Sequence, residues 1–359
     1  MSEEQNMTRH DFLRTMTAAG IAAPGFLKAA PPPGVLRRGV SLYSYQEEFY
    51  TRAMTLEDCL SEASSIGAYA IEMLPEQMVP DFPNPSQRWV EQWHAWLDRY
   101  HLVPDTYTQF QDTVLMKGQE LPIDDGVAML ERDLKLAKRL GLRNMRLLIG
   151  TPLDVIERGI PLAEKYDIWM GCEIHAPAHI HSPLVDRWIA IAEKHKTRHF
   201  GIIPDFGIFQ TRPPRVQRDR QIRDGVLNGR IAQYIDESWE SGVPQEKVAA
   251  EAERMGGRRP ETQYLAMLYG TKMEDPKDLL PLKNYIRHFH AKFYEMDENY
   301  RETSIPYEKV IPVLLEGGIE ASIVSEYEGQ RHTQDAFETD SCEQVRRQHV
   351  LLRRLLGEI

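Results

Sequence analysis

Four stretches in the second half of the chain end on side chains that can hold a cation or move a proton. They are "MGCEIHAP" (170–177) with Glu173 and His175, "HFGIIPDFG" (199–207) with Asp205, "IRHFHAKF" (286–293) with His288, His290 and Lys292, and "ASIVSEYE" (321–328) with Glu326 and Glu328. Successive side chains on a strand alternate faces, so Glu173 and His175 share one side, as do His288 with His290 and Glu326 with Glu328. If the four stretches are neighbouring strands, three acids stand at one level. Unpaired buried carboxylates are costly, and several together repel unless a cation sits among them. Oxygen donors with one imidazole suit Mn²⁺, Mg²⁺, Co²⁺ or Fe²⁺ better than a structural zinc, which prefers a closed shell of sulfur and nitrogen. Alternation alone leaves open which member of each His pair and Glu pair is the ligand.

The elements that must carry these residues are legible as a repeat. Apolar runs with strand character cover 38–45, 68–74, 102–110, 143–149, 170–176, 199–207, 286–293 and 321–328, and helix-period segments lie between them. Trp89, Trp93, Trp96 and Tyr100 recur on one helical face, which reads as core packing, and Leu130, Leu134 and Ala137 repeat the pattern before Gly141 stops the helix. Thr55, with Asp58 three residues on, reads as an N-cap, and Gly67 as the matching stop. Eight strand-then-helix units predict a (β/α)8 TIM barrel over residues 37–359. A doubly wound or two-domain α/β chain would show a glycine-rich phosphate turn after its first strand, and none follows Tyr45. Such barrels place their chemistry at the C-terminal ends of the strands, where the acids and histidines fall. The spacing breaks once, with a long insertion of about 211–285 between strands six and seven. It opens "QTRPPRVQRDRQIRDG", whose arginines at 212, 215, 218, 220 and 223 form either a solvated helix face or, with Trp239, a lid or a surface for a second chain.

A chain of 359 residues that is 42% hydrophobic can bury a large core, and its net charge of −11 argues against nucleic acid as a partner. The three cysteines, Cys59, Cys172 and Cys342, suggest neither a disulfide framework nor a cysteine-rich metal motif, and read as packing residues. Residues 1–36 read as a signal-like leader outside the fold: "TRHDFLR" resembles a twin-arginine export signal with His10 in place of the second arginine. The apolar run behind it falls short of the ~18 residues a membrane span needs, so no membrane partner is expected. The leader leaves the cytoplasm and the periplasm as the two expected locations.

The order Glu on strand five, Asp on strand six, "HFHAK" on strand seven and Glu on strand eight resembles the xylose-isomerase-like barrels, a superfamily of sugar isomerases, epimerases, inosose dehydratases and endonuclease-IV-type proteins. The resemblance covers about residues 36–357. Within that superfamily, "RRGVSLYSYQEEFY", "PEQMVPDFPNPS", "EIHAP" and "IPDFGIF" look most like the catalytic α-subunits of C-glycoside deglycosidases. The resemblance implies one divalent metal, with manganese the first expectation, held by Glu173, Asp205, His290 and Glu326. It implies a 3-oxo-glycoside substrate and a lyase that withdraws the C2 proton through His175 and expels the C1 substituent by β-elimination, assisted by Glu328 and Lys292. It also implies a small β-type subunit or a second copy of the chain as partner. The alternatives are a sugar isomerase, an epimerase or an inosose-type dehydratase of the same superfamily. An endonuclease-IV-like enzyme would need more histidines and a basic groove, and a barrel that had lost its chemistry would show broken ligands. His179 and His181 could form a rival histidine-rich zinc site with His175, while Glu72 and Tyr43 read as core or substrate-pocket residues.

Overall fold

The computed structural model describes residues 36–110, 121–333 and 340–359, so all but the last residue of the expected leader lies outside the described residues. Eight parallel strands form one sheet: β1 (Arg37–Ser41), β2 (Ala70–Met73), β3 (Val103–Gln109), β4 (Asn144–Leu147), β5 (Trp169–Ile174), β6 (Phe200–Pro204), β7 (His288–Phe293) and β8 (Ser322–Tyr327). Apart from β6 and β7, each pairs in parallel with its sequence neighbour, with one register shift between Ile71 and Glu72 in the β2–β3 pairing, and β1 pairs with β8. The remaining seam, between β6 and β7, is joined by the parallel bridges Ile202 to Ile286 and Asp205 to His290, so the sheet curls into the barrel that the eight runs predict. The second bridge joins two of the candidate ligands.

Burial explains why these segments are strands. Seven of the eight are buried at nearly every residue, as expected of a parallel sheet covered on both faces. Inside, the Trp169 ring lies against Gly171, where a Cβ would stand 2.3 Å from a ring carbon, so a glycine is needed for the indole to fill the barrel floor. On the outside, the helix Gln87–Tyr100 buries Trp93, whose indole N–H donates to the Leu140 carbonyl at 3.0 Å, while Trp89, Trp96 and Tyr100 pack at its edges. Thr55 caps the helix Leu56–Ser65 reciprocally with Asp58, and Gly67 and Gly141 take the left-handed conformation behind their helices. Arg38 pairs with Glu358 at 2.7 Å and donates to His349 Nδ1 at 2.7 Å, fastening the C-terminal helix Ser341–Leu355 to β1. Among the described residues no helix is long and apolar enough to cross a membrane.

The segment between β6 and β7 folds as helices rather than as a loop. They span Arg215–Arg223, Gly229–Glu240, Gln245–Arg254 and Arg259–Gly270, and the last three surround a core of their own that includes Ile231, Ile235, Val248, Leu265 and Leu268. The five arginines at the start of this segment have partners within this chain. Arg212 pairs with Glu240 at 2.7 Å and lies 5.2 Å over the Trp239 ring, Arg215 reaches Glu295 at 2.9 Å, and Arg220 reaches Asp224 at 2.7 Å. Arg218 joins Asp219 and Asp236, and Arg223 donates to the His332 carbonyl. These contacts tie the helical insertion to the barrel rim.

Candidate metal centre

Glu173 comes from β5, Asp205 follows β6 directly, His290 lies in β7 and Glu326 in β8. All four are buried, and each offers a ligand atom within 4.8 Å of the others. His290 is the hub: its Nδ1 lies 2.6 Å from Glu173 Oε1, 3.4 Å from Glu326 Oε1 and 3.9 Å from Asp205 Oδ2. The other oxygen of Asp205, Oδ1, accepts the Gly207 backbone N–H at 2.6 Å, and a Cβ at position 207 would stand 2.7 Å from that oxygen. Glycine thus lets the backbone approach and orient the carboxylate, leaving Oδ2 turned toward the cluster.

The other histidine of the pair is turned away. His288 Nε2 meets Glu72 Oε2 at 2.9 Å, and its Nδ1 meets Asp105 at 3.1 Å and the Thr106 hydroxyl at 3.0 Å. Glu72 also takes His290 Nε2, at 3.0 and 3.2 Å, and the Thr108 hydroxyl. A carboxylate behind the far nitrogen of a histidine fixes the ring and its tautomer, leaving the near nitrogen for a metal. Glu72, His288 and His290 are themselves close enough to hold an ion, but they are already satisfied by one another.

The electrostatics test whether a cation fits. Asp205 Oδ2 and Glu326 Oε2 are buried with no hydrogen bond, although the Lys292 ammonium lies 3.0 and 3.3 Å away as a charge partner. Burial pushes the Asp205 carboxyl up to about 7, helped by Glu326 and Glu173 and opposed by Lys292. Burial would lower the His290 pKa, but Glu326, Glu72 and Glu173 outweigh it and raise the ring well above its ordinary value. Burial likewise opposes the charge on Glu173, and Arg146 and His290 overcome it and hold that carboxyl low. A proton on His290 Nδ1 thus sits where three carboxylates call for positive charge. Three carboxylates with a single imidazole fit a hard divalent ion at this place.

Beside the cluster lie the residues expected to move protons. His175 follows β5 by one residue, with Nδ1 2.6 Å from the Ala176 carbonyl and Nε2 2.8 Å from Lys292 Nζ. Burial opposes the Lys292 charge, and Asp205, Glu326 and Glu328 more than restore it, so the group is an ammonium. An ammonium only donates and a carbonyl only accepts, which assigns the proton of a neutral His175 to Nδ1 and the lone pair to Nε2. Glu328 lies 3.5 Å from Lys292 and accepts from the Tyr43 hydroxyl at 3.2 Å. The seven residues that the resemblance implies as ligands or proton carriers therefore lie together in one place. His179 and His181 do not join them: His181 pairs with Asp278 at 3.0 Å on the surface, and among the described residues neither belongs to a ligand cluster. Two further residues of the site carried little signal. Glu72 was readable only as a core or pocket acid, and Arg146, whose Nη2 lies 2.7 Å from Glu173 Oε2, was not singled out. Each is an inward charge within an apolar run, which is the pattern that finds them.

The sequence profile of the xylose isomerase-like TIM barrel matches residues 60–346. The chain is 29% identical over 344 residues to the 3'-dehydrocarminate deglycosidase alpha subunit of Microbacterium sp, covering 90% of this chain and 96% of that one. It is 26% identical over 334 residues to a C-glycoside deglycosidase alpha subunit of Arthrobacter globiformis, covering 89% and 92%. Among solved structures, D-allulose 3-epimerase from Methylomonas sp. superposes with a TM-score of 0.54 at 9% identity, over 90% of this chain and 99% of that one, a likeness of fold alone. The profile takes in seven of the eight barrel strands and all four residues of the buried cluster, and on that ground the chain belongs to the xylose isomerase-like TIM barrel family.

Proposed function

We propose that the protein is a divalent-metal-dependent lyase that cleaves 3-oxo-glycosides between C1 and the aglycone, with Glu173, Asp205, His290 and Glu326 as metal ligands and Mn²⁺ as the first candidate ion. The observation that carries this reading is the lone-pair nitrogen of His175 standing beside the ligand cluster and 2.8 Å from a lysine ammonium. The substrate class rests on the relatives, one of which is named for a 3'-dehydro substrate. Their designation as alpha subunits supports a second, smaller subunit as partner.

When bound, the ion supplies Lewis acidity that makes a carbon-bound proton beside a carbonyl removable near neutral pH. His175 Nε2 takes the proton from C2, and the C–H electron pair becomes the C2=C3 bond of an enolate. As the C3 carbonyl re-forms, that pair moves to C1=C2 and the bond from C1 to the aglycone breaks. Lys292 protonates the departing group, with Glu328 beside it to hold the amine in place. The imidazolium of His175 then returns a proton to Lys292 across their existing contact, so one proton has moved from C2 to the aglycone and the protein is restored.

The test is to supply the Mn²⁺-loaded protein, with and without a candidate small subunit, with C- and O-linked 3-oxo-glycosides and with simple ketohexoses, and to identify products by mass. Free aglycone with an unsaturated 3-oxo sugar is expected. Epimeric or isomeric ketohexoses, with the glycosides untouched, would reassign the site to isomerase chemistry.

A further inference from the structure

We propose that Arg146 is a substrate-binding residue that donates a hydrogen bond from one of its two unpartnered nitrogens, Nε or Nη1, to the substrate oxygen that becomes negatively charged, the 3-oxo oxygen of the reaction proposed above. The inference rests on that reading for the identity of the oxygen, and on the geometry of Arg146 for the site itself.

Arg146 lies in β4, paired in register with Thr108 of β3 and Gly171 of β5, and its side chain is 9% exposed. One donor, Nη2, is used on Glu173 Oε2 at 2.7 Å, while the Phe110 ring lies 5.8 Å from the guanidinium carbon. The Nε and Nη1 donors are buried and have no partner among the described residues. Buried donors are almost always satisfied, and a guanidinium cannot escape the cost by losing its proton. A residue needed only to orient Glu173 would do so with one donor and could leave the rest in water. Here the unused donors are enclosed beside a cluster of acids: a cationic ligand group would gain nothing from them, and a neutral oxygen would gain the hydrogen bond with less of the charge attraction. An anionic oxygen would gain a hydrogen bond from one of them and a full positive charge beside it, the arrangement that stabilises charge developing in a transition state. Among the described residues near the cluster, Lys292 is the other fixed cation, and its charge is already shared among Asp205, Glu326 and Glu328.

The experiment compares the parent with Arg146→Met and Arg146→Lys, each as the full chain. Binding of Mn²⁺, binding of oxalate to the Mn²⁺-loaded protein as a small planar oxyanion, and kcat and KM on a 3-oxo-glycoside are measured. Arg146→Met is expected to bind oxalate at least about tenfold more weakly and to lower kcat by about a hundredfold, the scale of losing one oxyanion donor, with Mn²⁺ affinity changed less than oxalate affinity. Arg146→Lys, which keeps the charge and loses the two donors, is expected to recover Mn²⁺ binding and only part of the oxalate binding, and it decides the question if the Met variant does not fold. Oxalate affinity unchanged in a folded variant, or falling only in step with Mn²⁺ affinity, overturns the proposal and leaves Arg146 as a positioning residue for Glu173. The two readings separate: Arg146-dependent oxalate binding without aglycone release would retire the lyase and keep the oxyanion site, and aglycone release indifferent to Arg146 would do the reverse.

Discussion

Glu72→Gln removes one charge from the barrel core while keeping the side chain's shape, and its expected effect can be worked from the contacts. The two oxygens of Glu72 serve three donors: His288 Nε2 at 2.9 Å, His290 Nε2 at 3.0 Å and the Thr108 hydroxyl. Glutamine offers one oxygen, and its amide hydrogens would face groups that are themselves donors, so at least one of the three contacts becomes repulsive. Hydrogen bonds to a charged partner contribute roughly 1.5–3 kcal/mol each. Losing the one behind His290 makes its Nδ1 a poorer and less firmly oriented ligand, and at about 1.4 kcal/mol per decade the loss corresponds to roughly ten- to a hundredfold in metal affinity. That is also the usual scale for an outer partner of a metal-bound histidine. Competition between the protein and a fluorescent chelator for Mn²⁺ measures the affinity, with the melting temperature of the metal-free variant as a check on folding. A folded Glu72→Gln protein that binds Mn²⁺ as tightly as the parent would show that Glu72 does not support the site in this way.

Three other perturbations follow from the same geometry. Asp205→Ala deletes a proposed ligand and a cap on the turn Phe206–Phe209, so most bound metal should be lost for about 1 kcal/mol of stability, and full occupancy by elemental analysis would refute the assignment. His175→Gln should retain the metal and slow loss of the C2 proton by about a hundredfold or more, and exchange of that proton at the parent rate would reduce His175 to an orienting role. The folded Asp205 carboxyl, pushed up to about 7 by burial, holds its proton more tightly than the unfolded chain does. Its contribution to stability is present below about pH 4 and is lost as the pH rises through 7, and a metal takes only the deprotonated form. Added Mn²⁺ should therefore raise the melting temperature more at pH 8 than at pH 6, and an equal or larger gain at pH 6 would contradict this.

The fold was legible because most strands are buried and largely apolar and helix-period segments separate them, a trace that a barrel of buried parallel strands leaves. Boundaries were less so: the first run, 38–45, holds both β1 and the 3-10 turn Leu42–Tyr45, since buried Leu42 and Tyr45 look the same in either conformation. The buried cluster was legible in its order along the chain, but alternation could not separate His288 from His290. That distinction is one of depth, since His288 ends on Glu72 and Asp105 and His290 on Glu173, Glu326 and Asp205. Arg146 lay hidden because a cation three residues after Arg143 in "RNMRLLI" reads equally well as part of a solvated strand end, and only closure of the barrel makes its face an interior one. The insertion was read as loop, lid or partner surface because its arginines gave no apolar period. The later helices carry the apolar residues, and they pack on one another rather than on the barrel core.

The most direct measurement follows the hydrogen at C2. A 3-oxo-glycoside carrying deuterium at that carbon is supplied to the Mn²⁺-loaded protein, with its partner if one is required, and the rate of aglycone release and the isotopic content of the sugar product are recorded. Abstraction by His175 followed by elimination requires slower release than from the unlabelled substrate and a sugar product free of deuterium at C2. Aglycone released at an unchanged rate, with the deuterium still on C2, would contradict it.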